Sequence, residues 1–213
     1  MISALIFDCD GTLVDSEDIG MAAMHAHALP YGLTLSLAEV LHDFRGKSMA
    51  RNVARLAQHS ERPFPDDFTL SARAAMAVRF RAELQAMPGA VDFIASLKLP
   101  FCVATNGPRD KTELTLGITG LLPYFKGQIY CAYEVGHFKP EPHLFLEAAA
   151  GLGVAPTDCA VVEDSLPGIM AGLAAGMRVF SLCDPDTIPA DIKPKITQIA
   201  RLADLDGLLG LTG

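Results

Sequence analysis

Ala4-Leu5-Ile6-Phe7-Asp8-Cys9-Asp10-Gly11-Thr12-Leu13-Val14-Asp15-Ser16 stands almost at the start of the chain, and its first half decides the fold. Four consecutive apolar residues, β-prone at Ile6 and Phe7, form a run too short for a helix and apolar on both faces. Such a run predicts a strand buried on both sides, as in a parallel sheet. It ends in an acidic, glycine-containing loop, where a strand gives way to a turn.

Working outward, comparable runs recur at residues 101–104, 128–130, 160–162 and 178–181, with helix-like stretches at 90–97, 110–116, 142–152 and 166–175. Strands alternating with helices predict βαβ units and an α/β fold with a parallel sheet. Residues from about Ser16 to Ala86 break this rhythm. They read as successive helices (17–29, 37–43, 49–58 and 66–85), with Pro63 and Pro65 before the last and Pro88-Gly89 marking the return. The expected organisation is a core of residues 1–15 and 87–213 with an all-helical insertion of residues 16–86.

A length of 213 residues suits one large domain, or one carrying a modest insertion, and 50% hydrophobic residues suffice for a core. No apolar run reaches the roughly 18–20 residues of a membrane span, so no membrane partner is expected. No basic stretch precedes an apolar one at the N-terminus, so no secretory leader is expected. Five cysteines (Cys9, Cys102, Cys131, Cys159 and Cys183) form no CxxC pair. Cys102, Cys131 and Cys159, in or beside apolar runs, read as small buried hydrophobes, and the set suits a reduced, cytoplasmic setting. A net charge of −8 opposes binding to polyanions, and no nucleic-acid partner is expected.

In a parallel sheet, ligands gather outside the carboxyl ends of the strands. The residues there form a coherent set. Strand one leads to Asp8-Cys9-Asp10-Gly11-Thr12, strand two to Thr105-Asn106-Gly107, strand three across a loop to Lys139-Pro140-Glu141-Pro142, and strand four to Glu163-Asp164-Ser165. Asp8 and Asp164 offer the hard oxygens that Mg²⁺ prefers. Thr105 offers a hydroxyl, and the amides of Asn106 and Gly107 suit a phosphate oxygen near a helix start. Lys139 brings the positive charge that phosphoryl transfer needs. Asp10 is placed to protonate a leaving oxygen and then activate water. The expected partner is a small-molecule phosphate ester.

These four pieces, in this order, resemble the motifs of the haloacid dehalogenase (HAD) superfamily, over nearly the whole chain. The resemblance implies a Rossmann-like core and identifies the helical insertion as an α-helical cap. It implies a phospho-aspartyl intermediate on Asp8, with Asp10 as acid/base. Mg²⁺ would be held by Asp8, the main-chain carbonyl of Asp10 and Asp164, with Glu163 beside it, directly or through a water. Thr105, Asn106 and Lys139 would hold the phosphoryl group.

Within the superfamily, dehalogenases and phosphonatases lack a carboxylate at the position of Asp10, so the expected substrate is a phosphate monoester. The opening from Phe7 to Glu17, Asn106-Gly107-Pro108 and Cys183-Asp184-Pro185 resemble the superfamily's bacterial sugar-phosphate phosphatases, which implies a sugar phosphate such as 6-phosphogluconate. The main alternative is a mutase of the β-phosphoglucomutase kind. Those enzymes carry a histidine twelve residues after the nucleophile, where this chain has Gly20. A catalytically silent binding protein is a further alternative, opposed by the intact motifs. Arg45, Gly46 and Lys47, with Arg51, are expected to contact the distal part of the substrate. His25, His27, His42, His59 and His137 are read as packing or surface residues, and Cys9 as pointing away from the aspartates that flank it.

Overall fold

The computed structural model describes residues 2–210. From β1 (Ala4–Phe7) the chain enters four helices, α1 (Glu17–Ala28), α2 (Leu37–Phe44), α3 (Met49–Gln58) and α4 (Phe68–Glu83). It continues through α5 (Ala90–Ser96), β2 (Phe101–Thr105), α6 (Arg109–Ile118), β3 (Ile129–Cys131), α7 (Ala132–Val135) and α8 (His143–Leu152). Then come β4 (Cys159–Glu163), α9 (Leu166–Ala174), β5 (Arg178–Ser181), β6 (Thr197–Gln198) and α10 (Asp204–Leu209). Contacts divide the chain into two compact units, one made of the segments before Asp15 and from Ala86 onward, the other of Asp15–Gln85.

The first unit is an α/β sandwich. Its six strands run in the order β3-β2-β1-β4-β5-β6, every pair parallel. All residues of β1 and β4 are buried, which is why their runs up to Phe7 and Val162 are apolar without alternation. One core layer joins Ala4, Ile6, Cys102, Ala104, Val161 and Val179 to Leu144, Phe145, Ala148 and Ile169 of α8 and α9. Phe7 faces the other way, edge-on to Phe93 and Phe101.

The helical unit has its own core, of Met21, Met24, Val40, Phe44, Leu56, Phe68 and Ala72. Ser36 and Glu39 form a reciprocal capping box at the start of α2, and Ser48 caps α3. Pro30 turns the end of the expected first helix into a 3₁₀ turn, Leu29–Tyr31. The helix expected over 66–85 is shorter, Phe68–Glu83.

The sequence reading lacks α7, β6 and α10. α7 is a single turn halted by Gly136 at φ 80°, and β6 is a two-residue edge strand, both too short to display a period. Among the described residues no helix is long and apolar enough to cross a membrane, and the cysteines are all buried and unpaired as disulfides.

Candidate active site

The strand order puts β1 in the middle, with β2 on one side and β4 on the other. Chain connections reverse direction across the sheet here, so the loops leaving β1 and its neighbours splay apart and open a crevice at the strand ends. Asp8, Thr105 and Glu163 arrive from three adjacent strands. Asp8 continues the ladder, its amide donating to Val162 O at 3.0 Å.

The loop after Asp8 folds back at once. Leu13 and Val14 amides donate to Cys9 O, and Gly11 N donates to Val14 O. Gly11 sits at φ 78°, and a Cβ built on it would lie 2.0 Å from Asp164 Oδ2. Only glycine allows both the turn and the approach of that carboxylate. Thr12 Oγ1 donates to Asp164 Oδ1 at 3.4 Å. Carboxylate oxygens of Asp8, Glu163 and Asp164 lie within 4.8 Å of one another.

Lys139 bridges this group. Its ammonium lies 2.5 Å from Asp8 Oδ1 and 2.6 Å from Glu163 Oε1, and it is buried. The other oxygen of Glu163 accepts from Ser165 N (2.9 Å) and Ser165 Oγ (2.8 Å). Ser165 also caps α9, accepting from Gly168 N. A Cβ on Gly168 would come within 1.8 Å of Glu163 Oε1, so α9 must begin bare for the carboxylate to fit.

Asn106 engages Lys139 through the main chain. Its Oδ1 accepts from Lys139 N at 2.9 Å, and its Nδ2 donates to Lys139 O at 3.4 Å. The Asn106 side chain thus places the lysine loop, whereas the resemblance assigns Asn106 to the phosphoryl group itself. Thr105, 1% exposed, accepts from Gly107 N at 3.0 Å. Gly107 lies near Asp10, whose Oδ2 would be 3.7 Å from a Cβ there.

Sequence reasoning missed one residue of the cluster. Lys111, in the first turn of α6, brings its ammonium to 2.6 Å from Asp10 Oδ2. A lone lysine in a helix reads as solvated. The only available signal was its place one turn beyond Thr105-Asn106-Gly107. Arg45, Gly46 and Lys47 belong to the helical unit, between α2 and α3. There Arg45 pairs with Glu17 at 3.0 Å and also with Asp18. Gly46, at φ 67°, donates from its amide to Glu17.

Electrostatics follow from the count of charges. Four carboxylates (Asp8, Asp10, Glu163, Asp164) face two ammoniums (Lys139, Lys111), an excess of two negative charges. Burial pushes Asp8 up to about 7; Lys139 pulls it back while Glu163 and Asp10 raise it further. For Lys139, burial works against the charge, but Asp8 and Glu163 outweigh it and hold the ammonium protonated. Lys111 is raised in the same way: burial opposes its charge and Asp10 outweighs it. Cys9 is buried against Thr115, and burial followed by the Asp10 and Asp8 charges drives its thiol up, which leaves it inert.

The donor set fits a hard divalent cation. Its atoms are all oxygens, the carboxylates outnumber the ammoniums, and Gly11 lets the Asp164 carboxylate close on the cluster.

Comparisons with known proteins show the family. A family model described as haloacid dehalogenase-like hydrolase matches residues 2–176. The chain is 34% identical over 209 residues to a 6-phosphogluconate phosphatase of Escherichia coli (strain K12), covering 97% of this chain and 94% of the relative. It is 33% identical to hexitol phosphatase A of the same organism, over 86% of this chain and 84% of the relative. A solved HAD family hydrolase from Deinococcus radiodurans R1, with bound phosphate and sodium, superposes with a TM-score of 0.78 at 31% identity, covering 99% of this chain and 97% of that one.

Proposed function

The chain belongs to the haloacid dehalogenase-like hydrolases and is a phosphoric monoester hydrolase, and from that membership we propose a Mg²⁺-dependent phosphatase of sugar phosphates such as 6-phosphogluconate. The observation that carries the reading is Lys139, bridging Asp8 and Glu163 beside Asp164.

In this reading an Asp8 carboxylate oxygen attacks phosphorus and the ester oxygen leaves. Asp10 supplies the proton that the leaving oxygen takes up, then removes one from water, which attacks phosphorus and frees Asp8. Lys139 offsets charge on the transferring group, and the Thr105 hydroxyl, its oxygen held by Gly107 N, and the Asn106 amide orient the group's oxygens. Asp8, Asp164 and the Asp10 main-chain carbonyl would hold Mg²⁺, with Glu163 nearby; bound there, the ion supplies a counter-charge that lets a carboxylate approach a dianionic ester.

The helical unit acts as the cap, and Arg45, Gly46 and Lys47 read the distal end of the substrate. Hydrolysis is favoured over mutase chemistry by Gly20. It is buried in α1 beside Met76 and Phe80, and it has no side chain that could carry a proton to or from a substrate hydroxyl.

A phosphate-release screen over sugar phosphates, 6-phosphogluconate and β-glucose-1-phosphate among them, tests this directly. Mg²⁺-dependent release from 6-phosphogluconate, lost in Asp8→Asn, is expected. Isomerisation of β-glucose-1-phosphate without release would overturn it, and unchanged KM values in Arg45→Ala and Lys47→Ala would remove those residues from the substrate contact.

A further inference from the structure

The loop carrying Lys139 brings together a second group of potential metal ligands. His137, Glu141 and His143 follow one another at spacings of four and two residues, and their donor atoms lie within 4.8 Å of each other. Both imidazoles turn Nδ1 toward the same carboxylate oxygen. His137 Nδ1 is 2.6 Å from Glu141 Oε2, and His143 Nδ1 is 3.5 Å from it. The rings stack with centroids 4.1 Å apart and planes 22° from parallel.

Each position is fixed by a different local constraint. Glu141 N donates to Phe138 O, closing the turn, and His143 is the first residue of α8, whose amides at Phe145 and Leu146 return to Pro142 O. The side chains themselves are 46–56% exposed, so an ion can enter and the rings can turn.

We propose that His137, Glu141 and His143 form a site for a late first-row transition dication of the Zn²⁺ class, separate from the all-oxygen cluster at Asp8. Two imidazoles and one carboxylate are a ligand set that suits such ions, whereas Mg²⁺ prefers oxygen alone and keeps its waters. Zn–N and Zn–O bonds of about 2.0–2.1 Å place tetrahedral donors about 3.3 Å apart. The observed His–Glu141 separations of 2.6 and 3.5 Å bracket that value, and the two imidazole donors lie within 4.8 Å of each other. Three protein donors leave the fourth position to water. A carboxylate already shared by two histidines could be a plain ion pair, and that reading predicts no metal affinity.

The experiment is calorimetric titration of Zn²⁺ into the full chain, free of any affinity tag, with excess Mg²⁺ present to fill the oxygen cluster. Co²⁺ absorption is the parallel readout, because tetrahedral Co²⁺ with nitrogen donors has an intense visible band. One Zn²⁺ per chain is expected, weakened by more than about tenfold in His137→Ala and in His143→Gln, and unchanged in Asp164→Asn. Zn²⁺ binding that survives both histidine substitutions, that disappears in Asp164→Asn, or that is absent from the wild type overturns the proposal. Far-UV circular dichroism of the variants guards against unfolding. Neither readout depends on phosphatase activity, so failure here leaves the proposed function standing and the reverse also holds.

Discussion

The Asp8 carboxyl, pushed up to about 7 by burial, holds a proton that an exposed aspartate has already lost. A metal ion binds only the ionised form, so binding at neutral pH must expel part of that proton. Calorimetry of Mg²⁺ binding at pH 7 in buffers of different ionisation enthalpy should reveal release of about half a proton per ion. At pH 9 the release should be close to zero, and affinity should fall as pH drops through 7. A buffer-independent heat at pH 7 would show Asp8 already ionised. Lys111 invites a different test. Its contact with Asp10 holds the acid/base in place, and the acid half of that role matters only when the leaving oxygen needs a proton. Lys111→Met should lower kcat by about tenfold on a sugar phosphate, within the range general acid catalysis supplies, and far less on p-nitrophenyl phosphate, whose leaving group departs unprotonated. Equal losses on both substrates would mean that Lys111 does not act through protonation of the leaving group.

Among elements, α9 shows how one residue serves both architecture and site. Ser165 caps the helix and donates to Glu163 from both amide and hydroxyl. Ser165→Ala removes the cap and one of those donors beside a buried carboxylate, and should cost about 1–3 kcal/mol in urea unfolding. A cost below about 0.5 kcal/mol would mean that water replaces the hydroxyl. β1, β2, β4 and α9 were legible because their apolar runs end in turn-forming or acidic residues: Phe7 before Asp8, Val162 before Glu163-Asp164. Their strand-end side chains were legible for the same reason, since every functional residue named there follows a strand. Lys111 and the backbone-clamping role of Asn106 were not, because both depend on which helix face meets which loop. Neither α7 nor β6 is long enough to carry a pattern. His137 read as a packing or surface residue and His143 carried no signal in the sequence, because only the turn at Glu141 brings their rings together.

At the scale of the molecule, the two units have separate hydrophobic cores, and residues within one core support each other more than they support the other unit. Leu56, fully buried in the helical core, is the test position. Leu56→Ala should destabilise that unit by about 2–5 kcal/mol. Native-state hydrogen exchange should then quicken across Asp15–Gln85 while amides of β1 and β4 keep their protection. Uniform loss of protection over both units would instead mean a single cooperative fold. The junction has a wider implication. The chain leaves the α/β unit at Val14 and re-enters at Ala86, and these two residues are bridged antiparallel, with Met87 N donating to Leu13 O. Exit and entry therefore lie side by side, so the length of what is inserted between them imposes no gap for the sheet to span. By this geometry the helical unit is a cassette: a domain whose own termini are adjacent can stand between Val14 and Ala86 without stretching the strand-end loop.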